Sequence, residues 1–200
     1  MIAVVDSGVA NLHSVVNAMN KLGAKVRVVQ TPQELKTASK IILPGVGAFA
    51  AGMAKLREGK FVEPLRDYAA LGTPILGICL GMQMLFRRSQ EMGTHEGLGL
   101  LNGVVVRFPT SVPKVPHVGW NQLLHDESSP LLAGVPSGSY AYFVHSYYAQ
   151  MPSESAVLAT THYGVNFPAI VGYGNVYGVQ FHPEKSHETG LRILKNFLSL

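Results

Sequence analysis

The first half of the sequence alternates short apolar runs with segments of helical periodicity. The apolar runs are too short for helices and lie at residues 2–5, 25–30, 41–43 and 75–78. A helical pattern follows the first run and ends at Gly23, and others fill residues 48–71 and begin near residue 80. Strands that alternate with helices form right-handed crossovers and a mostly parallel sheet. We therefore predict an α/β fold, an open sheet with helices on both faces.

The second half of the sequence has a different texture. Short β-rich runs, separated by Pro, Gly and Ser, lie at residues 104–108, 140–144, 156–161, 169–171 and 176–181. These runs predict antiparallel strands added to the sheet. Apolar residues at helical spacing then follow Ser186, a residue type favoured at N-caps, and predict a terminal helix. No repeat or linker divides the 200 residues, so we expect a single domain over residues 1–200.

Composition excludes several classes of protein. With 47% hydrophobic and 14% charged residues, the chain is too apolar and too poor in charge to be disordered. The net charge of +4 comes from scattered basic residues, whereas a nucleic-acid surface needs a basic patch with stacking aromatics. The single cysteine excludes an internal disulfide and fits a reducing compartment. Because the N-terminal residues lack the features of a signal peptide, we expect a cytoplasmic protein.

Two stretches stand out for their lack of charge. Residues 68–86 carry no charge over 19 residues, but glycines and Pro74 interrupt them, so a turn, a buried strand and a helix are predicted rather than a membrane span. No Lys or Arg occurs between Lys114 and Lys185. The acidic residues between these two lysines are Asp126, Glu127, Glu154 and Glu184. This second stretch forms either an uncharged polar surface or a surface that a partner covers.

The segment Gly77-Ile78-Cys79-Leu80-Gly81 carries the sharpest chemical signal. A buried strand leads into Cys79 and a helix follows it, which is the context of a nucleophile elbow with cysteine in place of serine. The flanking glycines permit a tight turn, and the positive end of the helix favours a thiolate. The Leu80 amide could stabilise an oxyanion. A small buried cysteine in a glycine-rich turn would give the same local pattern, so a second signal is needed.

The segment Gly178-Val179-Gln180-Phe181-His182-Pro183-Glu184 supplies that second signal. A thiolate nucleophile needs a base, and the base needs a group that orients it. A strand over residues 176–181 would present His182 at its end, with Glu184 two residues further on. A surface His and Glu at a strand end is the alternative. The presence of the Cys79 elbow in the same chain favours a Cys-His-Glu triad.

A glycine loop, Pro44-Gly45-Val46-Gly47-Ala48-Phe49, follows the third predicted strand. The amide of Val46 or Gly47 could be a second donor to an oxyanion, and a glycine turn with no ligand is the alternative. The Lys and Ser/Thr of a phosphate-binding P-loop are missing. Residues 182–188 contain His and Glu, but not in the order of the His-Glu-x-x-His zinc motif, so we predict neither a metal nor a cofactor.

With these segments in this order, the chain resembles the triad glutamine amidotransferases. More narrowly, it is similar to the glutaminase subunits of imidazole glycerol phosphate synthases, and the resemblance runs nearly end to end. The elbow and the His-Pro-Glu segment are shared across the superfamily, whereas residues 116–121 and 143–147 single out these glutaminase subunits. Ser7 and Ala10 stand where many relatives carry a Tyr and a Gly.

The resemblance implies a glutaminase mechanism. Cys79 attacks the side-chain amide carbon of glutamine, His182 acts as base and then as acid to the leaving ammonia, and Glu184 holds His182. Water then hydrolyses the γ-glutamyl thioester to glutamate. The implied oxyanion donors are Leu80, Val46 and Gly47, and the implied glutamine contacts are Gly45, Gly47, Gln83, Glu91, Ser146 and Tyr147. Ser146 and Tyr147 could equally be polar groups of the core.

The resemblance also implies a heterodimer. The ammonia would pass through a (β/α)8-barrel cyclase subunit, where the lyase reaction of histidine biosynthesis makes imidazole glycerol phosphate and aminoimidazole carboxamide ribotide. The residues expected to face this partner are Asn11, His117, Trp120, Tyr142 and Lys185, although Trp120 could instead belong to the core. Two alternatives stay open: the glutaminase of another synthase, such as that of pyridoxal phosphate synthesis, and a non-catalytic binding module of the same fold.

Overall fold

A computed structural model describes residues 1–6, 8, 11–126 and 128–200, apart from the side chain of Glu154. Ser7 and Ala10, which depart from the family pattern, lie outside the described residues, as do Val9 and Glu127. The elements of the first half are β1 (Ile2–Val5), α1 (Leu12–Lys21), β2 (Val26–Val29), β3 (Lys40–Gly45), α2 (Phe49–Glu58), α3 (Val62–Ala70), β4 (Ile75–Cys79) and α4 (Leu80–Met84).

The second half is richer in strands. Its elements are β5 (Phe86–Ser89), β6 (His95–Glu96), β7 (Leu101–Arg107), β8 (His117–Gln122), β9 (Tyr140–His145), β10 (Tyr147–Gln150), β11 (Val157–His162), β12 (Asn166–Tyr173), β13 (Val176–Val179) and α5 (His187–Ser199). A single 3-10 turn, Pro183–Lys185, separates β13 from α5 in the last part of the chain. The α/β class predicted from the sequence is confirmed.

Seven strands form the central sheet, in the order β11, β12, β13, β4, β3, β1, β2. The strands from β13 to β2 are parallel, and β12 and β11 extend one edge as antiparallel neighbours. Both faces of this sheet are covered. In β1, Ile2 and Val4 enter one hydrophobic cluster with residues of α1 and α5, whereas Ala3 and Val5 enter a second cluster with residues of α2 and α3.

The prediction that the later strands all join this sheet is wrong for two of the runs. Strand β7 lies in a separate four-stranded sheet of order β10, β7, β5, β6, and β9 pairs with β8 in a two-stranded ribbon. The alternation of apolar and polar residues indicates which face of a strand is buried, but it does not specify the neighbouring strand. We call β8 and β9 together the ribbon.

The helical region over residues 48–71 is divided into two helices. Gly59 ends α2, and Lys60 takes a positive φ of 57° before α3 begins at Val62. The uncharged stretch of residues 68–86 forms the end of α3, all of β4 and the short α4, as the sequence predicted. Within the described part of the chain, no helix is both long enough and apolar enough to cross a membrane.

Candidate active site

Three neighbouring parallel strands bring the predicted catalytic segments to one edge of the central sheet. Strand β3 ends at Gly45 and β4 at Cys79, while the chain after β13 leads to His182. The carboxyl ends of parallel strands form the usual ligand crevice of open α/β sheets. The fold therefore brings these three segments, which are far apart in the sequence, together in one site.

Cys79 stands at the sharp turn between β4 and α4. Its backbone angles are φ 54° and ψ −112°, a region that L residues rarely occupy. The turn is possible because Gly77 and Gly81 carry no side chains. A Cβ at Gly77 would lie only 2.6 Å from the Met82 amide nitrogen, and one at Gly81 would collide with the Leu43 carbonyl oxygen. The strand–turn–helix arrangement predicted around Cys79 is present.

His182 and Glu184 form a buried pair beside Cys79. The Nδ1 of His182 lies 2.8 Å from Oε1 of Glu184, and the side chains are 4% and 1% exposed. Burial lowers the pKa of His182, but hydrogen bonds to Cys79 and Glu184 and the charges of both groups outweigh it and raise the pKa to about 10. Oε2 of Glu184 has no hydrogen-bond partner among the described residues, so that carboxylate charge is compensated mainly by His182.

The main chain of His182 is held by the ribbon. Its amide donates to the Tyr142 carbonyl at 2.9 Å, and its carbonyl accepts from the Ser186 hydroxyl at 2.6 Å. The Tyr142 amide in turn donates to Ser186 Oγ at 2.9 Å. Ser186 stands at the N-cap position of α5, as predicted, but its side chain bonds the segment that carries His182 instead of capping the helix.

A cavity of about 310 Å³ opens over Cys79. Besides Cys79 and His182, it is lined by Val46, Gly47, Leu80, Gln83, Glu91, Pro116, Val144, His145, Ser146 and Tyr147. Every residue predicted for the oxyanion hole and the glutamine pocket is therefore present, with one exception. Gly45 is buried, a Cβ there would lie 3.0 Å from the Gly81 nitrogen, and Gly45 does not line the cavity as predicted.

The three predicted oxyanion donors, Leu80, Val46 and Gly47, lie in two different settings. Leu80 is the first residue of α4, so its amide has no partner within that helix. Val46 and Gly47 lie in an exposed loop between β3 and α2, and Gly47 has a φ of 91°. Helix α2 has no side-chain cap of its own, and the carboxylate of Glu91 accepts from the Phe49 amide at 2.7 Å in its place. Glu91 thus ties the end of this loop to the cavity wall.

Gln83 is already bonded on its amide nitrogen. Its Nε2 donates to the Tyr147 carbonyl and to Oε1 of Gln180, both at 3.0 Å, which leaves Oε1 of Gln83 to accept from a substrate. Gln180 is fully buried, and its Nε2 lies 3.9 Å from Cys79 Sγ. Sequence reasoning missed Gln180, although a glutamine within the apolar run of residues 176–181 was a visible signal.

The residues predicted to face a partner are divided between surface and core. Asn11 and Lys185 are exposed, the Trp120 side chain is 46% exposed, and Tyr142 is half-buried. The Trp120 ring stacks on His187 with centroids 4.9 Å apart and an interplanar angle of 4°, so the core alternative for Trp120 is wrong. His117 is only 3% exposed and points to the inner side of the ribbon, so the prediction that it faces a partner is wrong.

The inner side of the ribbon carries a histidine pair. His117 Nδ1 lies 3.1 Å from His145 Nε2, and His145 Nδ1 lies 2.8 Å from the Tyr147 carbonyl oxygen. Burial lowers the pKa of His117 to about 4, and burial together with the nearby histidines lowers that of His145 to about 3. In the part of the chain that the structure describes, no group of three or more His, Cys, Asp or Glu side chains is placed to hold a metal ion.

This geometry agrees with the comparisons with known proteins. The family model described as glutamine amidotransferase class-I matches residues 3–200 of the chain. The chain belongs to the class-I glutamine amidotransferase family. The resemblance drawn from the elbow, the glycine loop and the His-Pro-Glu segment is confirmed at this level.

The relatives narrow the family further. The chain is 52% identical to "Imidazole glycerol phosphate synthase subunit HisH" of Desulfitobacterium hafniense (strain DSM 10664 / DCB-2), over 98% of this chain and 93% of that one. It is 49% identical to the HisH subunit of Sulfurimonas denitrificans, over 98% and 97% of the two chains. The HisH subunit of Geobacillus sp. (strain WCH70) is also 49% identical, over 100% and 97%. The chain is thus a class-I amidotransferase of the HisH type.

Solved structures show the same fold at lower identity. The match to a crystal structure of a glutamine amidotransferase spans 99% of this chain and 97% of that chain. Its TM-score is 0.79, and the sequence identity is 21%. The structure of PurLQS from Thermotoga maritima gives the same coverage and TM-score with 22% identity. These two structures support the architecture alone.

Proposed function

We propose that this chain is the glutaminase subunit of an imidazole glycerol phosphate synthase and acts in histidine biosynthesis. It hydrolyses glutamine to glutamate and ammonia. The observation that carries the proposal is the buried His182–Glu184 pair at 2.8 Å beside the Cys79 elbow, in a chain about half identical to HisH subunits. The 310 Å³ cavity over Cys79 is lined by backbone and polar groups suited to an amino-acid amide.

In the first half-reaction, the Cys79 thiolate attacks the side-chain carbonyl carbon of glutamine. The charge that develops on the carbonyl oxygen is stabilised by the Leu80 amide and by an amide of the loop at Val46 and Gly47. Because the pKa of His182 is about 10, His182 holds a proton at neutral pH and gives it to the leaving nitrogen. The carbon–nitrogen bond breaks, ammonia leaves, and a γ-glutamyl thioester forms.

In the second half-reaction, water attacks the thioester. His182 is now neutral, takes a proton from the water and is stabilised as imidazolium by Glu184. The carbon–sulfur bond breaks and releases glutamate and the Cys79 thiolate. The glutamine itself is held by Oε1 of Gln83, by the Glu91 carboxylate and by polar groups at Ser146 and Tyr147, which line the same cavity.

The partner in this proposal is a (β/α)8-barrel cyclase subunit, which receives the ammonia and carries the lyase reaction. Relatives named as synthase subunits support a partner, and the exposed aromatic face of the ribbon supports its position. That face, with Trp120 and Tyr142, would be the covered part of the charge-poor stretch. Lys185 at the end of that stretch and Asn11 outside it would contact the same partner. We place the heterodimer in the cytoplasm, where the small-molecule substrates of biosynthesis occur.

The test measures glutamate release by the purified wild-type chain, alone and with the cyclase subunit and its nucleotide substrate. We expect slow hydrolysis alone and much faster hydrolysis in the complex, because the Val46–Gly47 donors lie in an exposed loop that a partner can order. Cys79→Ala and Cys79→Ser should abolish hydrolysis in both settings. Thermal unfolding of the two variants controls for the fold.

The outcomes separate the alternatives. Full hydrolysis by either Cys79 variant contradicts the triad. Stimulation by the barrel subunit of a pyridoxal phosphate synthase, and not by the cyclase, assigns the chain to another synthase. A chain that binds the cyclase but releases no glutamate under any condition is a binding module.

A further inference from the structure

Gln180 occupies a position that the proposed mechanism does not use. It lies between β13 and His182, is fully buried, and its backbone amide donates to the Ala169 carbonyl at 2.9 Å. A buried carboxamide is costly unless its polar atoms are bonded. The nearest partner of its Nε2 is Cys79 Sγ, at 3.9 Å, which is within hydrogen-bonding range for sulfur.

The Tyr147 carbonyl decides which end of the Gln180 carboxamide faces the sulfur. A carbonyl oxygen can only accept, so the group of Gln83 that lies 3.0 Å from it must be the amide nitrogen. The second hydrogen of that nitrogen points to Gln180 at 3.0 Å, where it requires an oxygen. The nitrogen of Gln180 is thereby turned toward Cys79.

The same carbonyl orders the histidine pair behind it. The His145 nitrogen at 2.8 Å from the Tyr147 oxygen must carry a hydrogen, so in neutral His145 the other nitrogen accepts from His117 Nδ1. His117 Nε2 then accepts from the Asn121 side-chain amide at 3.3 Å. Each donor and acceptor from Asn121 to Cys79 is therefore fixed by one backbone oxygen.

We propose that Gln180 is a positioning residue for the nucleophile. Its side-chain N–H donates to the Cys79 thiolate and keeps the sulfur directed into the cavity. A donor stabilises the charged sulfur more than the neutral thiol, and it restricts rotation about the Cys79 side chain. The role rests on Cys79 being the nucleophile of the proposed glutaminase. The relay through Gln83 keeps the donor end, and not the oxygen, against the sulfur.

The test uses the reaction of iodoacetamide with the chain, because Cys79 is the single cysteine and every alkylation event reports on it. The rate is measured from pH 5 to 10 for wild type, Gln180→Met and Gln180→Glu. Gln180→Met keeps the length of the side chain without its donor. We expect alkylation about tenfold slower at pH 6 and a midpoint moved up by about one pH unit, with a larger shift for Gln180→Glu.

Two further variants test whether the effect depends on the orientation of Gln180. Gln83→Met removes the anchor of Gln180 without touching the sulfur, and should move the midpoint in the same direction by a smaller amount. Gln150→Met makes the same change at an exposed glutamine outside the cavity and should match wild type. An unchanged midpoint in a folded Gln180→Met or Gln180→Glu chain overturns the proposal, since Gln180 then only fills space.

A measurement on the wild-type chain does not depend on any variant folding. The side-chain 15N–1H signals of Gln180 should shift as the sulfur ionises and again when Cys79 is alkylated. Signals that stay unchanged through both steps overturn the proposal. These readouts involve no glutamine, so a chain without glutaminase activity would refute the proposed function and still leave the Gln180–Cys79 contact testable.

Discussion

One residue of the triad and one residue that follows the triad segment have backbone conformations that non-glycine residues normally avoid. Cys79 has a φ of 54° and His187, which follows the triad segment, has a φ of 48°. Each such residue costs on the order of 1–3 kcal/mol and persists only where the surroundings hold it. Around Cys79 the glycines at positions 77 and 81 provide that support. Strain at Cys79 fixes where the sulfur points, which is what a nucleophile needs.

Glu184→Gln should show how much the negative charge of Glu184, as distinct from its size and hydrogen bond, contributes to the triad. The glutamine can still accept from His182, but the lost charge lowers the pKa of His182 from about 10. Because His182 must be protonated to release ammonia, activity disappears as pH rises through its pKa, and this loss should occur at lower pH in the variant. We expect kcat in the complex to fall about 100-fold or more.

The measurement is the pH profile of kcat for glutamate release by the complex. Glu188→Gln, an exposed carboxylate on the first turn of α5, is the matched control and should follow wild type. A high-pH limb that does not move in Glu184→Gln would mean that Glu184 does not set the proton affinity of His182.

At the scale of elements, two helices pack directly against segments that build the active site. Helix α4 approaches β3 so closely that Gly81 has no room for a side chain beside the Leu43 carbonyl. Helix α5 does the same at Gly190, where a Cβ would lie 2.6 Å from the carbonyl carbon of Pro183. Pro183 separates His182 from Glu184, so the seating of α5 sets the position of base and carboxylate together.

Gly190→Ala should therefore damage both stability and the site. The obstructing atoms belong to the backbone and cannot rotate away, so α5 must shift, at a cost of about 3 kcal/mol or more. Urea unfolding measures this change in the free energy of unfolding. Glu188→Ala, in the same helix but exposed, should cost less than about 1 kcal/mol. Equal stabilities for Gly190→Ala and wild type would show that α5 is not seated on Pro183.

At the scale of the whole molecule, a polar pair lies within one of the two hydrophobic cores. His117 and His145 pack among the rings of Phe108, Phe143 and Phe167, with centroid distances of 5.0 to 6.3 Å. Burial keeps both neutral by lowering their pKa values to about 4 and about 3. The fold accepts these groups because each ring nitrogen between the ribbon and Tyr147 is hydrogen-bonded.

This pair should make the protein sensitive to acid. The folded pKa values lie below the unfolded value of about 6.5, so the stabilisation is complete above pH 6.5 and is lost as pH falls toward 4 and 3. Between these limits each histidine should lower the free energy of unfolding by about 1.4 kcal/mol per pH unit. In His117→Phe this slope should be smaller, although the variant is less stable at pH 7.

Urea unfolding at several pH values between 7 and 4 gives the slopes. His13→Phe removes an exposed histidine on α1 and should leave the wild-type slope unchanged. If His117→Phe and wild type lost stability in parallel below pH 6.5, the acid sensitivity would have to come from other groups.

The parts of the site that were predictable from sequence are those set by local pattern. Cys79 is recognisable because a buried strand, two glycines and a helix surround it within a few residues, and His182 and Glu184 lie two positions apart. His145 reaches the site only through pairings between distant parts of the chain, which periodicity does not specify. Gln180 lies in the recognised segment itself, but its contact with Cys79 depends on the parallel pairing of β13 with β4. The division of the later strands among three sheets escaped prediction for the same reason.

One error is explained by strand β8, which the sequence analysis did not predict. Side chains of a strand alternate between its two faces, so His117 and Trp120, three positions apart on β8, cannot both point to a partner. The exposed Trp120 fixes the outer face, and His117 then belongs to the inner one. The assignment of Gly45 to the pocket failed differently, because its close packing on α4 is a matter of tertiary structure.

The order of the triad along the chain has a consequence for synthesis of the protein. The sulfur of Cys79 belongs to the first half of the sequence, whereas His182, Glu184 and the helix seated on Pro183 come near its end. A nascent chain that stalls between them carries a nucleophile without a base. Unfinished copies therefore lack the base that glutamine hydrolysis requires, and the site is complete only when nearly the whole chain has been made.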